Sequence, residues 1–332
     1  MDVLGEMESA PGDPISQESQ PKPAIVPDAS DNPTDYLNHC APGQYTYQPL
    51  GIEMMGFSPA HYLDNEVKNM ELRDDDIVIA AYPKTGNTWM QEMLWLIMND
   101  ADTEYAKTTA INDRVPFLEF FMHGFSGVSL IDDISRDKKN RIFYTHLPMD
   151  LVPRQVKEKR VKVVSMLRNP LDTMVSYYYF CKSYKDLGHF KGEWDDFYQL
   201  YMSEKVPYGH VVNHNLSWWN ARDDLNILFV RYEDLLADPK KEVLRISEFC
   251  GVTLTPQKLE TIVEATRFDV MKNNPMTNRT IYKEIDQSIC AFMRKGVSGD
   301  WKNYFSDEQH TLTCEFADSK LKDAGLTYPC ME

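Results

Sequence analysis

The sequence lacks the features that mark several common protein classes. Its 332 residues contain no apolar run near the ~20 residues that cross a bilayer. Six cysteines form no CxxC pair and no secretory signal opens the chain, so we expect reduced thiols in a cytoplasmic protein with no membrane partner. Positive charge is also scarce, because 35 Lys and Arg residues stand against 51 Asp and Glu residues. The resulting net charge of −16 argues against a nucleic-acid partner.

Part of the negative charge is concentrated at the amino terminus. Residues 1–35 carry eight acidic residues and one Lys, and residues 1–34 are rich in Pro, Asp, Glu and Ser. Such a segment cannot bury enough apolar surface to offset the entropy that ordering would cost. We interpret residues 1–34 as a disordered tail, either a solvated segment or a partner-binding one, and residues 35–332 as one domain.

Apolar runs alternate with amphipathic runs along the domain, which is typical of an α/β fold. Buried strands are predicted at residues 77–82, 161–167 and 226–230, followed by helices at 88–98, 170–182 and 239–250. Further helices are predicted at 204–223 and 256–265, an irregular arm at 45–62, and a long loop over the site at 272–301. This rhythm predicts a single domain with a central parallel sheet flanked by helices, and ligands beyond the carboxyl ends of the strands.

The turn YPKTGNTW at residues 82–89 joins the first of these strands to its helix. A strand that feeds a Gly-containing turn and then a helix directs several backbone N–H groups at one point, which favours an anion. The GxxxxGK[ST] spacing of nucleoside triphosphatases is absent, because Lys84 precedes Gly86. The turn therefore predicts a P-loop-like phosphate site and disfavours a nucleoside-triphosphate kinase.

A second fragment, RKGVSGDWKNYF, begins at residue 294 and is cationic and hinged by glycines. Together the two fragments resemble the signatures of the cytosolic sulfotransferases. Four further blocks stand between them in the family's order, namely RVPFLEF (114–120), THLP (145–148), LRNPLDTMVSYYYF (167–180) and NNPMTN (273–278). The resemblance covers the chain from about residue 35 and implies the sulfotransferase fold.

The resemblance implies transfer of a sulfonyl group from 3′-phosphoadenosine-5′-phosphosulfate (PAPS), which leaves 3′,5′-adenosine diphosphate (PAP). His146, as general base, and Lys84, at the leaving oxygen, would be catalytic together with Ser176, which with Arg168 also matches the family's 3′-phosphate holders. The implied contacts of the co-substrate are Lys84, Thr85, Gly86, Asn87, Thr88, Trp89, Arg168, Ser176, Tyr232, Thr266, Phe268, Met271, Arg294, Lys295 and Gly296. No metal is implied, since Lys84, Arg168 and Arg294 can neutralise the phosphates. For Trp89, a role in core packing remains the alternative.

The acceptor pocket is implied to be aromatic, which suits a small lipophilic phenol, steroid or other alcohol, and less well an amine. Its implied residues are Phe57, Phe117, Tyr144, His146 and Phe180. Core packing explains the Phe residues equally well. Tyr177, Tyr178 and Tyr179 are too crowded for all three to face one ligand.

The chain departs from the family pattern at three places. Tyr144 stands where most members have a Lys two residues before the catalytic His, and Asn87 replaces a Thr of the phosphate loop. The dimer motif KxxxTVxxxE begins at Lys302 but has Thr311 in place of its Glu, which leaves a homodimer uncertain.

Two other functions stay open at this stage. Because Tyr144 brings no charge, the chain could be a catalytically weak member that binds a nucleotide and a lipophile. It could also be a sulfonation-dependent dehydratase, in which an unstable allylic sulfate eliminates. His210 and His214 have i, i+4 spacing but lack the Glu of a zinc-protease helix and a third ligand, so we interpret them as helix-surface or packing residues.

Overall fold

The computed structural model describes residues 40, 43–48, 50–122, 125–134, 141–158 and 160–328. The tail predicted at residues 1–34, and with it the start of the domain at residue 35, lies outside the described residues. In the described part, the strands are β1 (Tyr45–Tyr47), β2 (Ile52–Met54), β3 (Ile77–Ala81), β4 (Phe121–Met122), β5 (Phe125–Ser126), β6 (Ile142–Thr145), β7 (Lys162–Leu167) and β8 (Asn226–Arg231).

The helices of the same residues surround these strands. They are α1 (Ala60–Tyr62), α2 (Asn87–Met98), α3 (Thr103–Thr108), α4 (Ile111–Arg114), α5 (Gly127–Ile134), α6 (Gln155–Glu158), α7 (Pro170–Ser183), α8 (Trp194–Met202), α9 (Val211–Asn220), α10 (Tyr232–Ala237), α11 (Pro239–Cys250), α12 (Pro256–Ala265), α13 (Phe268–Lys272) and α14 (Asp307–Leu321). A π-helical turn covers Leu63–Val67, and short 3₁₀ helices cover Met149–Leu151, Lys185–Leu187 and Asp300–Asn303.

Four strands form the central parallel sheet, in the order β6-β3-β7-β8. The three predicted strands are confirmed to within one residue at each end. The chain passes from β3 to β6 on one side and then crosses to β7 on the other side of β3. Such a reversal opens a crevice at the carboxyl ends of the strands, where open α/β sheets bind ligands.

Two apolar layers cover the faces of the sheet, because successive side chains of a strand point to opposite faces. Val78 and Ala80 pack in a core with residues of α7, α8, α9 and α14. Ile77 and Ile79 pack in a second core with residues of α2, α11 and α12. β3 is buried over its whole length, as predicted. The prediction that β8 is equally buried is wrong, because β8 is an edge strand in which only Val230 is buried.

The main helices begin at residues that satisfy their free N–H groups. The Asn169 side chain accepts from Leu171 N at the start of α7, and the Asp238 and Thr255 side chains do the same for α11 and α12. The predicted helices at 88–98, 170–182, 239–250 and 256–265 are confirmed. The helix predicted at 204–223 is wrong over its first turns, because Glu204, Tyr208 and Gly209 have positive φ and the helix is only α9.

Two irregular segments were predicted, and one is confirmed. Between α13 and the 3₁₀ helix Asp300–Asn303 the chain has no helix or strand, and this loop lines the cavity described below. The arm at 45–62 is not irregular, because β1 and β2 pair as an antiparallel hairpin and α1 follows.

Neither a membrane span nor a disulfide is found in the described residues. No helix there combines the length and the apolar character that crossing a membrane requires. The five cysteines of this part of the chain are all free thiols.

Candidate active site

A cavity of about 800 Å³ opens at the carboxyl ends of β3, β6 and β7. Every residue that the sequence predicts for the site lines it, except one. Thr85 is the exception, because its amide and its hydroxyl both donate to the Tyr82 carbonyl, at 3.3 and 2.8 Å. The expectation that Thr85 helps to hold a phosphate is therefore not supported by its geometry.

The turn after β3 has the strained backbone of a tight binding loop. Lys84 has φ +70° and Gly86 has φ +104°. A Cβ at Gly86 would lie 2.8 Å from Cδ2 of Tyr232, so only Gly fits at this point. α2 begins at Asn87, and the N–H groups of a first helical turn have no partner within the helix. This turn can therefore receive an anion through its N–H groups, whereas the Asn87 Oδ1 buried there without a partner among the described residues can only accept a hydrogen bond.

Arg168 joins the two motifs that lie far apart in the sequence. Its Nη1 donates to the Lys84 carbonyl at 2.9 Å, and its Nη2 donates to the Val297 carbonyl at 3.1 Å. The guanidinium carbon lies 4.3 Å from the ring centre of Tyr232. Arg168 Nε is buried and has no partner in the described part of the chain, so the side chain keeps a donor for a ligand.

Two aspartates hold the cationic segment at residues 294–301 in place. Asp172 in the first turn of α7 accepts from Gly299 N at 2.7 Å and from Trp301 N at 3.0 Å. Asp300 pairs with Arg294 and with Lys295, each at 2.6 Å. Burial alone would raise the pKa of Asp300, but these two cations hold it below its ordinary value. The segment therefore approaches the cavity in a fixed conformation.

Flat apolar surfaces lie beside the turn after β3 and the segment at 294–296. Gly296 has φ +69°, and a Cβ there would lie 2.3 Å from Cδ2 of Phe268, so that ring rests directly on the backbone. Trp89 and Tyr232 meet edge to face, with ring centres 5.4 Å apart. The Thr266 hydroxyl donates to the Ile262 carbonyl at 2.8 Å, and its neighbour in the cavity wall, Met271, is buried. Trp89 both lines the cavity and packs against the core, so the structure supports both readings of this residue.

The main chain orients His146. Its Nδ1 lies 2.5 Å from the carbonyl oxygen of Ala81, at the end of β3. A carbonyl only accepts, so Nδ1 carries the proton and the lone pair of Nε2 is the free one. Burial lowers the pKa of His146 to about 3, so the ring is neutral at neutral pH. A neutral imidazole whose Nε2 lone pair faces a cavity can accept a proton from a hydroxyl group, which is the geometry of a general base.

Glu119 binds the main chain of His146 and was not predicted as a site residue. Its Oε1 accepts from His146 N at 2.5 Å, while its Oε2 is buried without a partner among the described residues. Burial raises the pKa of Glu119 to about 8, so it is mainly neutral at pH 7. The carboxyl therefore positions the His146 backbone without placing a negative charge beside the ring.

Lys84 lines the cavity and lies between two aromatic rings. Its Nζ is 4.4 Å from the ring centre of Phe180 and 4.0 Å from that of Phe292. Burial, together with the nearby guanidinium groups of Arg279 and Arg168, lowers the pKa of Lys84 to about 7. An anion bound beside Lys84 would stabilise its charged form. A bound phosphate would therefore raise the pKa of Lys84 back toward its ordinary value.

Aromatic rings form the other half of the cavity. Phe57 and Phe117 meet edge to face at 6.0 Å, and Phe117 stacks on Tyr144 at 4.6 Å. Of the three consecutive tyrosines only Tyr177 lines the cavity, in agreement with the expected crowding. Tyr178 instead packs beside Trp194 in the core.

Sequence reasoning missed several wall residues of this half. They are Met55, Phe120, Tyr184, Tyr208, Arg279, Tyr282, Ile285, Phe292 and Met293. They come from the arm, from the segment between α4 and β4, from the segments after α7 and α8, and from the loop at 273–299, where no periodicity indicates which side chains face inward. Only the prediction that this loop covers the site could have indicated the last five.

His210 and His214 are packing residues rather than surface ones. The His210 ring caps α9 by accepting from Val212 N at 3.1 Å, and both side chains are buried. Burial lowers the pKa of both rings, to about 3 for His210 and about 4 for His214. The described residues contain no group of three or more side chains with the types and spacing of a metal site.

Comparisons with known proteins agree with this architecture. A family model described as a sulfotransferase domain matches residues 74–325. Sulfotransferase 1 family member D1 of Mus musculus is 38% identical over 281 residues, which are 84% of this chain and 93% of the relative. Sulfotransferase 1E1 of Cavia porcellus is 41% identical over 251 residues, which are 74% of this chain and 82% of the relative.

Solved structures give the same result for the fold. A crystal structure of retinol dehydratase in complex with androsterone and the inactive cofactor PAP has a TM-score of 0.78 at 27% identity, covering 90% of this chain and 96% of that chain. Mouse sulfotransferase SULT7A1 complexed with PAP has a TM-score of 0.69 at 27% identity, covering 85% of this chain and 96% of that chain. The predicted fold class is thereby confirmed.

Proposed function

The chain belongs to the sulfotransferase family and is a sulfotransferase acting on small acceptors, and on this premise we propose how its cavity carries out the transfer. The co-substrate is PAPS, a proposal supported by the PAP complexes of two similar folds. The acceptor is a small lipophilic alcohol or phenol, which suits the aromatic half of the cavity, and an amine is the less favoured acceptor.

We assign the phosphates of the co-substrate to the charged half of the cavity. The N–H groups of Gly86, Asn87 and Thr88 and the Thr88 hydroxyl hold the 5′-phosphate. Arg168 and Ser176 hold the 3′-phosphate, supported by the buried and unused Nε of Arg168. Arg168 is suited to this role because its planar fork binds phosphate oxygens at two points.

The flat apolar surfaces beside these phosphate-binding groups suit the adenine ring of the co-substrate. Trp89, Tyr232 and Phe268 enclose the adenine, with Thr266 and Met271 behind them, while Arg294, Lys295 and Gly296 close the site from the late segment. Because those two cations already share Asp300, they add less net charge than the sequence implies. A metal is not part of this proposal, which predicts that a chelator leaves the rate unchanged.

The transfer step is an in-line displacement at sulfur. The acceptor oxygen attacks the sulfur while His146 Nε2 takes the hydroxyl proton, so that a new S–O bond forms. The bond from sulfur to the bridging oxygen of the 5′-phosphate breaks, and the electron pair stays on that oxygen beside the Lys84 ammonium. The products are the acceptor sulfate ester, PAP and a protonated His146. The observation that carries the proposal is the Nδ1 contact with the Ala81 carbonyl, which leaves Nε2 free.

Thermal unfolding with PAP, 5′-AMP and ATP tests the co-substrate site without knowledge of the acceptor. At a concentration a hundredfold above its dissociation constant, PAP stabilises the protein by ~2.7 kcal/mol. We expect the shift to depend on the 3′-phosphate and to be lost in Arg168→Ala. Equal shifts with PAP and 5′-AMP would contradict the assignment of Arg168, and a preference for ATP would contradict the co-substrate.

A sulfonation-dependent dehydratase is the second candidate. One similar fold is retinol dehydratase, with a TM-score of 0.78 in a complex with retinol and PAP. Product mass separates the two reactions, because an eliminated product has lost water and carries no sulfur. A sulfate ester that accumulates with a saturated alcohol but disappears with an allylic one would favour the dehydratase.

A catalytically weak binding member is the third candidate, since Tyr144 carries no charge. Tyr144→Lys would then raise turnover greatly from a wild type near zero. We further propose a cytoplasmic protein that does not dimerise through residues 302–311. Ser306 and Gln309 of that segment form the capping box of α14, which supports a local role, and light scattering would test it.

A further inference from the structure

Arg279 is a buried cation for which neither the motifs nor the assignments above provide a role. It is nine-tenths buried, has φ +66° and lines the cavity from the loop at 273–299. Its Nη1 donates to Asn112 Oδ1 at 2.7 Å, but its Nε is buried and has no partner among the residues that the structure describes. No carboxylate of the described residues lies within ion-pair distance of it. A buried guanidinium with an unused donor is costly unless an anion binds it.

The position of Arg279 points to the reaction centre rather than to a remote wall. Its guanidinium carbon is 5.4 Å from the ring centre of Phe292, the same ring that lies 4.0 Å from Lys84 Nζ. Its charge also lowers the pKa of His146, after the larger effect of burial. The leaving-group cation, the base and this guanidinium therefore surround one region of the cavity.

The neutral side chain of Tyr144 explains why a second cation beside Lys84 would assist the transfer. Most members of the family that the sequence resembles have a Lys at this position, where it assists the transferring sulfonyl group. Burial raises the pKa of the Tyr144 phenol, so it is neutral, and the adjacent guanidinium of Arg279 opposes part of that rise. The charge that position 144 lacks is thus present on a different segment that faces the same point.

We propose that Arg279 is a catalytic residue whose guanidinium binds the non-bridging oxygens of the sulfonyl group during its transfer. The proposal rests on the function proposed above. While the S–O bond to the phosphate breaks and the bond to the acceptor forms, negative charge spreads over these oxygens. A planar fork of N–H donors suits two oxygens of a tetrahedral anion, and Lys84 remains at the bridging oxygen. A carboxylate on the acceptor is the other anion that could meet this side chain.

PAPS and PAP differ only by the sulfonyl group, so their two affinities isolate its contacts. We expect Arg279→Gln to weaken PAPS about tenfold or more while PAP changes less than twofold, measured by calorimetry. The transfer rate from PAPS to 4-nitrophenol should fall about 10²-fold to 10³-fold. Arg279→Lys should retain part of both, and Arg222→Gln, which removes a guanidinium resting on Trp219, should change neither.

Rescue provides the second arm of the experiment. In the Arg279→Gln background, Tyr144→Lys should restore at least a tenth of the rate, because it returns a cation to the same point. Equal loss of PAPS and PAP affinity would mean a structural role and would overturn the proposal. An effect confined to the KM of carboxylate-bearing acceptors would assign Arg279 to the acceptor and overturn it too. Failure of the wild type to bind PAP would instead refute the proposed function, so the two failures are distinguishable.

Discussion

The two halves of the cavity are built in different ways. The half that we assign to the nucleotide, called the nucleotide half, includes Lys84, residues 86–89, Arg168, Phe268 and 294–296, and its segments begin at strand ends or are held at a helix start. The acceptor half consists of Phe57, Phe117, Tyr144, Phe180 and the loop at 273–293, and most of it comes from segments without regular structure. The first half is positioned mainly by hydrogen bonds to the main chain, whereas the second also depends on packing between aromatic side chains.

This difference appears in the contacts themselves. Arg168 is held by two carbonyl oxygens, and the late segment by backbone N–H groups that donate to Asp172. In the acceptor half, the main chain of β6 holds Tyr144 in the sheet, and the rings of Phe57, Phe117 and Tyr144 in addition pack on one another at 4.6 to 6.0 Å. Ring packing tolerates substitution by another apolar shape, whereas a hydrogen-bonded backbone does not. We therefore expect changes in the nucleotide half to alter affinity sharply and changes in the acceptor half to alter specificity.

The largest expected effect comes from His146, where the two halves meet. His146→Ala should lower the transfer rate about 10²-fold to 10⁴-fold, because the general base is removed. The increase in Tm caused by PAP should be retained in this variant, because we assign His146 to the acceptor and not to the nucleotide. His61→Ala, which changes an exposed ring, is the control. A variant that kept its rate would refute the assignment of the base.

Lys84→Met should lower the rate about 10²-fold to 10³-fold, because the leaving oxygen loses its cation. The same change should raise the Tm of the ligand-free protein near pH 6. The folded-state pKa of Lys84 is lowered to about 7 against an ordinary value of about 10.4, so below pH 7 the folded protein carries a buried charge that the unfolded chain solvates freely.

The stability gain of Lys84→Met should fade with rising pH. Between pH 7 and about pH 10.4 the folded state gives up this proton before the unfolded chain does, so the wild type recovers the stability that it lacks at low pH. Unfolding scans at pH 6 and pH 10 measure the difference. Lys302→Met, at an exposed position, should show no such dependence. A gain that is equal at both pH values would contradict the lowered pKa.

A comparison of two glycines in and beside the nucleotide half distinguishes backbone strain from steric contact, and the expected effect is smaller. Gly296 and Gly299 both have positive φ, +69° and +86°, so Ala is strained at either. Only at Gly296 would the new Cβ meet a neighbour, at 2.3 Å from the Phe268 ring, whereas Gly299 has open space. We expect Gly296→Ala to weaken PAP about tenfold and Gly299→Ala to weaken it about twofold, measured by calorimetry. Equal losses would mean that strain and not the displaced ring decides.

The residues that the sequence assigns to the nucleotide, apart from Thr85, line one cavity, and the sequence could bring them together because most of the pattern is local. The contiguous turn at 82–89 contains the cation, the glycine and the helix start, and the strands beside it have a clear apolar pattern. The sequence does not reveal that Thr85 bonds to Tyr82, because these hydrogen bonds depend on the turn geometry rather than on residue type. Arg279 was missed because its importance depends on the distant Phe292, Tyr144 and Lys84 meeting in space. The turns at 204–209 were misassigned because Tyr208 adopts a positive φ that composition does not reveal.

The contact between His146 and Ala81 bears on how this site can change over evolutionary time. The partner of Nδ1 is a main-chain carbonyl, so the orientation of the ring does not depend on which side chain stands at position 81. A triad that uses a carboxylate for this purpose can lose its base through one substitution of that carboxylate. Here β3 can drift in sequence without disabling His146, provided that the replacements remain small and apolar enough to keep the central strand in its register.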